Sequence, residues 1–155
     1  DIKLNESDKW IIDYTEKLTE ECRKGYEDLN PFIPANRVRE FIWNVFAPHY
    51  IELVKARAYG EGFSENEKKS AIYTLNYVLK RLLLLMAPIT PFITQTIWDA
   101  IYSQDPIHYQ GIPEAKAYDE KLLLIGDKIM EFNSKVWNAK KDKKLSLRDA
   151  IKIEI

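Results

Sequence analysis

Two histidines and a single cysteine are the side chains best able to do chemistry, and none is placed for it. His49 and His108 stand on separate elements. Neither has a histidine four residues away, the spacing with which one helix face offers two zinc ligands. Cys22 is alone, which excludes a disulfide framework and a cysteine-based zinc site and fits a reducing compartment. Ser and carboxylate residues are plentiful but scattered, no Gly-rich phosphate loop occurs, and the chain reads as non-catalytic by itself. Binding chemistry is better represented, in FIWNVFAPHYIELVKAR (Phe41–Arg57). On an α-helical wheel Arg37, Phe41, Asn44, Pro48 and Lys55 fall near one stripe, and Val38, Ile42, Val45, Phe46 and Leu53 on a neighbouring apolar one. Such a helix packs on one side and is free to touch something on the other.

The elements that must position these residues fit one helical domain. The chain has 155 residues, 46% hydrophobic and 30% charged, enough to bury a core unaided. The longest apolar run, LLLLMAPI (Leu82–Ile89), is too short to span a bilayer. The net charge of −1 hides a gradient. Residues 1–30 carry five cations and nine anions, residues 121–155 nine cations and five anions. A phosphate-rich partner would prefer the second end. The first residue is Asp and the last are alternating apolar ones, so the sequence is expected to be a piece of a longer polypeptide.

The periodicity predicts an all-α bundle of about five helices over 1–142, then a basic tail over 143–155 that ends in a short strand. The first helix opens with Ser7 as N-cap and carries Ile11, Tyr14, Leu18, Cys22 and Leu29. NPFIP (Asn30–Pro34) interrupts it. A second runs from Ala35 to Tyr59. The third opens on a capping box, Ser64 with Glu67, and ends at Pro88. Thr90 caps the fourth, with Pro91 in its first turn. The fifth opens near Asp119. AIKIEI alternates as a half-buried strand, for which PIHYQ (106–110) is the candidate partner. Trp43, Trp98 and the Leu82–Met86 run are expected in the core.

Four segments, DKWII, FIWNVFAPHYIELVKAR, LLLLMAPITPFITQTIWDAIY and IHYQGIP, resemble in order and spacing the helical anticodon-binding domain of valyl-tRNA synthetases, within the class I aminoacyl-tRNA synthetases. The resemblance covers nearly the whole chain. Gln95, Ile112 and Pro48 depart from the usual pattern. The resemblance implies a cytoplasmic parent, a valine–tRNA ligase, that uses ATP and Mg²⁺ outside this chain. It also implies upstream catalytic and editing domains, and tRNA, through its anticodon loop and stem, as partner. No cofactor is expected in the chain itself. The corresponding domain of an isoleucyl enzyme, or a helical protein–protein interaction domain, is the alternative.

An unpaired anticodon loop presents splayed bases and phosphates, which rings stack and amides or cations bind. The expected RNA contacts are therefore Arg37 and Lys55 at phosphates, with Phe41 and Asn44 nearer the bases. Pro48 would bend the helix between them. Lys140, Lys141, Lys143 and Lys144, with Arg148, place five cations within nine residues. They suit phosphate contact and equally the negative end of a helix.

Overall fold

The computed structural model describes residues 2–60 and 62–146, and all its regular elements are helical. Contacts divide the chain after Asp119 into two compact units. The first contains α1 (Glu6–Glu27), α2 (Phe32–Phe41), a π-helical segment (Ile42–Ile51), α3 (Glu52–Tyr59), α4 (Glu65–Met86), α5 (Pro91–Ile101) and a 3₁₀ turn (Ile107–Gln110). The second contains α6 (Glu120–Asp142). The expected boundary at 142/143 falls within this second unit, and the expected strand near 150–155 lies outside the described residues. Its candidate partner at 106–110 is the 3₁₀ turn, not a strand.

Local chemistry explains most of the ends. The capping box forms: the Glu67 N–H reaches Ser64 Oγ at 3.3 Å, and the Ser64 N–H reaches Glu67 Oε2 at 2.9 Å. Pro91 opens α5 as expected, but the Thr90 hydroxyl donates back to the Met86 carbonyl instead of capping. Asn5, not Ser7, precedes α1. The break expected over 30–34 is shorter, because α2 already begins at Phe32. Pro34 is tolerated there: the first-turn N–H groups have no intrahelical acceptor, so losing one costs little.

Leu29, expected on the apolar spacing of the first helix, lies beyond its end at Glu27, where the chain turns toward α2 in the left-handed conformation (φ 54°). The Asn30 N–H reaches the Gly25 carbonyl at 2.8 Å and the Leu29 N–H reaches Tyr26 at 3.0 Å, which closes the end of α1. Gly25 is needed for packing. A β-carbon there would sit 2.8 Å from Ile33 Cβ and 2.9 Å from Pro34 Cδ. Gly25→Ala should therefore destabilise the chain by about 1–3 kcal/mol through overpacking, measured by urea unfolding. At Leu29 the opposite holds. Glycine removes the left-handed penalty, and the side chain lost is 90% exposed, so Leu29→Gly should raise stability by about 1 kcal/mol.

The core of the first unit joins Ile11, Leu18 and Cys22 of α1 to Val38 and Phe41 of α2 and to Val78, Leu82 and Leu85 of α4. Leu83, Leu84 and Ala87 pack with Trp98 and Ile107, so Trp98 and Leu82–Leu85 of the expected Leu82–Met86 run are core, while Met86 is only half-buried. Burial pushes the Cys22 thiol up to about 12, so it is a packing residue and not a nucleophile.

Along α2, the π segment and α3 the buried positions are Pro34, Val38, Phe41, Val45, Tyr50, Val54 and Arg57. The step of five from Val45 to Tyr50 is the π-helical spacing, in place of the α-helical three or four. Pro48 sits inside that stretch and has no N–H to give an α-helical ladder. The expected bend is thus realised as a wider helical turn that moves everything beyond it by one residue. Val54 becomes core, and Leu53, expected on the apolar stripe, is 56% exposed.

A buried polar cluster holds this register. Asp8 of α1, fully buried, receives Arg57 Nη2 at 2.7 Å and Nη1 at 2.9 Å, and the Tyr50 hydroxyl at 2.7 Å. The Ser70 hydroxyl of α4 completes the set. Four elements meet on one carboxylate.

Candidate nucleic-acid interface

Arg37, Phe41 and Asn44 line one concavity of about 360 Å³, together with Tyr14, Lys17 and Glu21 of α1. Arg37 is held there by Glu21 at 3.3 Å and Glu40 at 3.2 Å. Phe41 has to be corrected. It is only 2% exposed, with its ring 5.5 Å from that of Tyr14 and 5.7 Å from that of Phe46. As a core ring it offers no face on which to stack a base. Lys55 does not join the stripe. It follows the core residue Val54, whereas Asn44 precedes the core residue Val45, so the two lie on opposite flanks of the buried stripe. Lys55 is exposed and pairs with Glu52 one turn away.

The outward stripe of α2 and the π segment carries a different set. Phe32, Asn36, Arg39 and Trp43 recur at spacings of four, three and four, which keeps them on one face. All four are exposed, and the two rings strongly so: Phe32 is 76% and Trp43 75% accessible. Trp43 was expected in the core and is the second correction. Phe41 and Trp43 are two positions apart, so a helix that buries one turns the other outward. Arg39, Glu40, Trp43 and Asn44 surround a shallow depression of about 290 Å³. Among the described residues, Asn36, Arg39 and Asn44 have no side-chain hydrogen bond or ion pair, whereas Glu40 is engaged by Arg37. The stripe and the adjoining Asn44 therefore offer two free aromatic faces, two uncommitted amides and one uncommitted guanidinium. Rings of this kind stack unpaired bases, amides read base edges, and a guanidinium meets phosphate or stacks. The signal is present in the sequence as Phe32, Asn36, Arg39 and Trp43, but the periodicity starts the helix only at Ala35 and places Trp43 in the core.

The lysine cluster belongs to the second unit. Lys140 and Lys141 occupy the last turn of α6, and Lys143 and Lys144 follow. The chain turns at Lys144 (φ 55°), where its N–H reaches Lys141 and the Leu145 N–H reaches Lys140, both at 2.9 Å. Cations there offset the partial negative charge of the helix end. Arg148 lies outside the described residues.

Of the histidines, His49 is half-buried in the π segment, where burial lowers its pKa, and His108 is exposed on the 3₁₀ turn. Among the described residues no cluster of His, Cys, Asp or Glu is arranged to hold a metal ion. No helix among them is long and apolar enough to cross a membrane.

The first unit is thus a helical domain with an exposed stripe of rings, an amide and a guanidinium. The family assignment agrees: residues 8–155 match the model of the anticodon-binding domain of tRNA ligase, and the chain belongs to that family. It is similar to a valine–tRNA ligase of Pyrobaculum aerophilum, 42% identical over 133 residues, covering 82% of this chain and 16% of the relative. It is also similar to the valine–tRNA ligase of Aeropyrum pernix, 35% identical over 144 residues, covering 90% of this chain and 17% of the relative. That of Archaeoglobus fulgidus is 34% identical over 151 residues, covering 96% and 17%. The chain thus spans about one sixth of the length of these relatives.

Proposed function

We propose that this chain is the anticodon-binding part of a cytoplasmic valine–tRNA ligase, and that Trp43, with Arg39 and Asn44, holds the unpaired anticodon loop. The observation that carries this reading is a tryptophan 75% exposed beside a cation and an amide with no partner among the described residues, in a family of anticodon-binding domains. An exposed indole presents a large apolar face to water, and a base stacked on it removes that face from solvent. Arg39 supplies charge at the strand's phosphates, and Asn44 has both donor and acceptor for a base edge. Lys140, Lys141, Lys143 and Lys144 add affinity at phosphates of the stem without reading sequence. Lys55 and Arg37, already in surface ion pairs, contribute less, since exchanging one weak surface partner for a phosphate gains little.

In this reading ATP- and Mg²⁺-dependent activation of valine belongs to other parts of the ligase, and so does joining valine to tRNA. The isolated chain should give no valine-dependent exchange between ATP and pyrophosphate.

A second reading, a protein-docking domain, is favoured by one feature. Ile2, Ile72, Tyr73, Asn76 and Tyr77 line a mainly apolar groove of about 490 Å³ along α4, flanked by Lys69 and Lys80. Salt separates the two readings. Affinity for an RNA hairpin with an unpaired loop should fall steeply between 50 and 200 mM salt, roughly as a power of salt set by the number of phosphates met. A hairpin bound no better than a fully paired duplex, with affinity indifferent to salt, would favour the protein-docking reading.

A further inference from the structure

We propose that Phe32 is a second stacking platform for the same RNA strand, so that the site measures strand length as well as reading bases. This rests on the anticodon-loop reading of Trp43. Phe32 and Trp43 are eleven residues apart, three helical turns, and so share one face. At about 1.5 Å of rise per residue their positions are offset by roughly 16 Å along the helix axis. Stacked bases lie about 3.4 Å apart along a strand, so two neighbouring bases cannot occupy both rings. A strand of about five stacking steps can.

The surface between the rings suits the middle of such a strand. Arg39 and Asn36 lie between them on the same stripe, and neither has a partner among the described residues. Phe32 also borders a second depression, of about 300 Å³, with Ile33, Asn36, Arg37 and Glu40, so each ring has a recess and an asparagine beside it. The turn before it adds a separate observation. Leu29, 90% exposed, holds a left-handed backbone that a leucine adopts only at a cost. That turn feeds directly into α2 and places the Phe32 ring at the outer end of the stripe. An unpaired RNA strand fits this row better than an apolar peptide helix does, because a polar amide and a guanidinium interrupt it every turn.

The test uses single-stranded oligoadenylates of two, four, six and eight nucleotides, with binding read from quenching of tryptophan fluorescence and Trp43→Phe as the control for the other tryptophans. Wild-type affinity should rise steeply between two and about six nucleotides. Phe32→Ala should remove about tenfold of that rise, within the range of one lost base stack. Phe32→Tyr should restore it, and thermal melts should show both variants folded, since the ring is mostly in solvent. If the gain with length is the same in Phe32→Ala as in wild type, Phe32 is no platform, and the Trp43 reading stands alone. If no oligonucleotide of any length quenches Trp43, the anticodon-loop reading of the stripe fails as well.

Discussion

Replacing Asp8 with alanine should lower the stability of the chain by about 3–5 kcal/mol, a fall in Tm on the order of 10 °C. The carboxylate is fully buried and accepts from Arg57, Tyr50 and Ser70, and Arg57 is itself only 5% exposed. Removing Asp8 leaves a buried guanidinium without its counter-charge and two hydroxyls without their acceptor. The pair itself contributes far less than this loss suggests, because both ions were taken out of water to form it. The double variant Asp8→Leu with Arg57→Met should accordingly recover much of the deficit, and urea unfolding of wild type, Asp8→Ala and the double variant measures it. The same site sets an acid limit. Burial raises the Asp8 pKa, but the hydrogen bonds from Arg57, Ser70 and Tyr50 together outweigh it and leave the pKa lowered. A carboxylate lowered in the folded state stabilises fully above its unfolded value, near 3.9. That contribution is lost as pH falls through the lowered folded value, so the Asp8 variants should differ least from wild type in strong acid.

Trp43→Ala should weaken binding of an anticodon hairpin by about five- to hundredfold, the range for one aromatic platform, with no fall in Tm. The ring is 75% exposed, so little packing is lost. In a ligase that carries this domain the loss should appear mainly in KM for tRNA, because the contact is remote from the chemistry and is made equally in the ground and transition states. Arg39→Ala should reduce the slope of affinity against salt by about one if it meets one phosphate. Phe41→Ala makes the contrast. Its ring is core, so the defect should be one of stability, and any loss of binding should follow the fraction unfolded.

What was legible in the sequence was the local chemistry. The Ser64–Glu67 capping box, Pro91 at a helix start and the buried Leu82–Leu85 run are short-range patterns, and they folded as read. The wheel failed where its period changed. Pro48 was visible, but a missing N–H can be met by a kink or by a wider turn, and only packing decides between them. The π segment chose the wider turn, which exchanged Leu53 for Val54 in the core and carried Lys55 off the stripe. The site was misread by one face for a related reason. Tryptophan is usually inside, so the pattern places Trp43 in the core and Phe41 at the surface, the reverse of their positions. Asp8 and Arg57 are 49 residues apart, and no periodicity joins them. Their pairing fixes which face turns outward, and it is a tertiary fact.

The most direct measurement is a titration of the ¹⁵N-labelled chain with an RNA hairpin bearing a valine anticodon loop, followed through side-chain resonances. The indole N–H of Trp43 and the side-chain amides of Asn36 and Asn44 should shift, while the indoles of the buried Trp10 and Trp98 stay in place. Shifts confined to the α4 groove around Tyr73 and Asn76, with the Phe32–Trp43 stripe silent, would contradict the account.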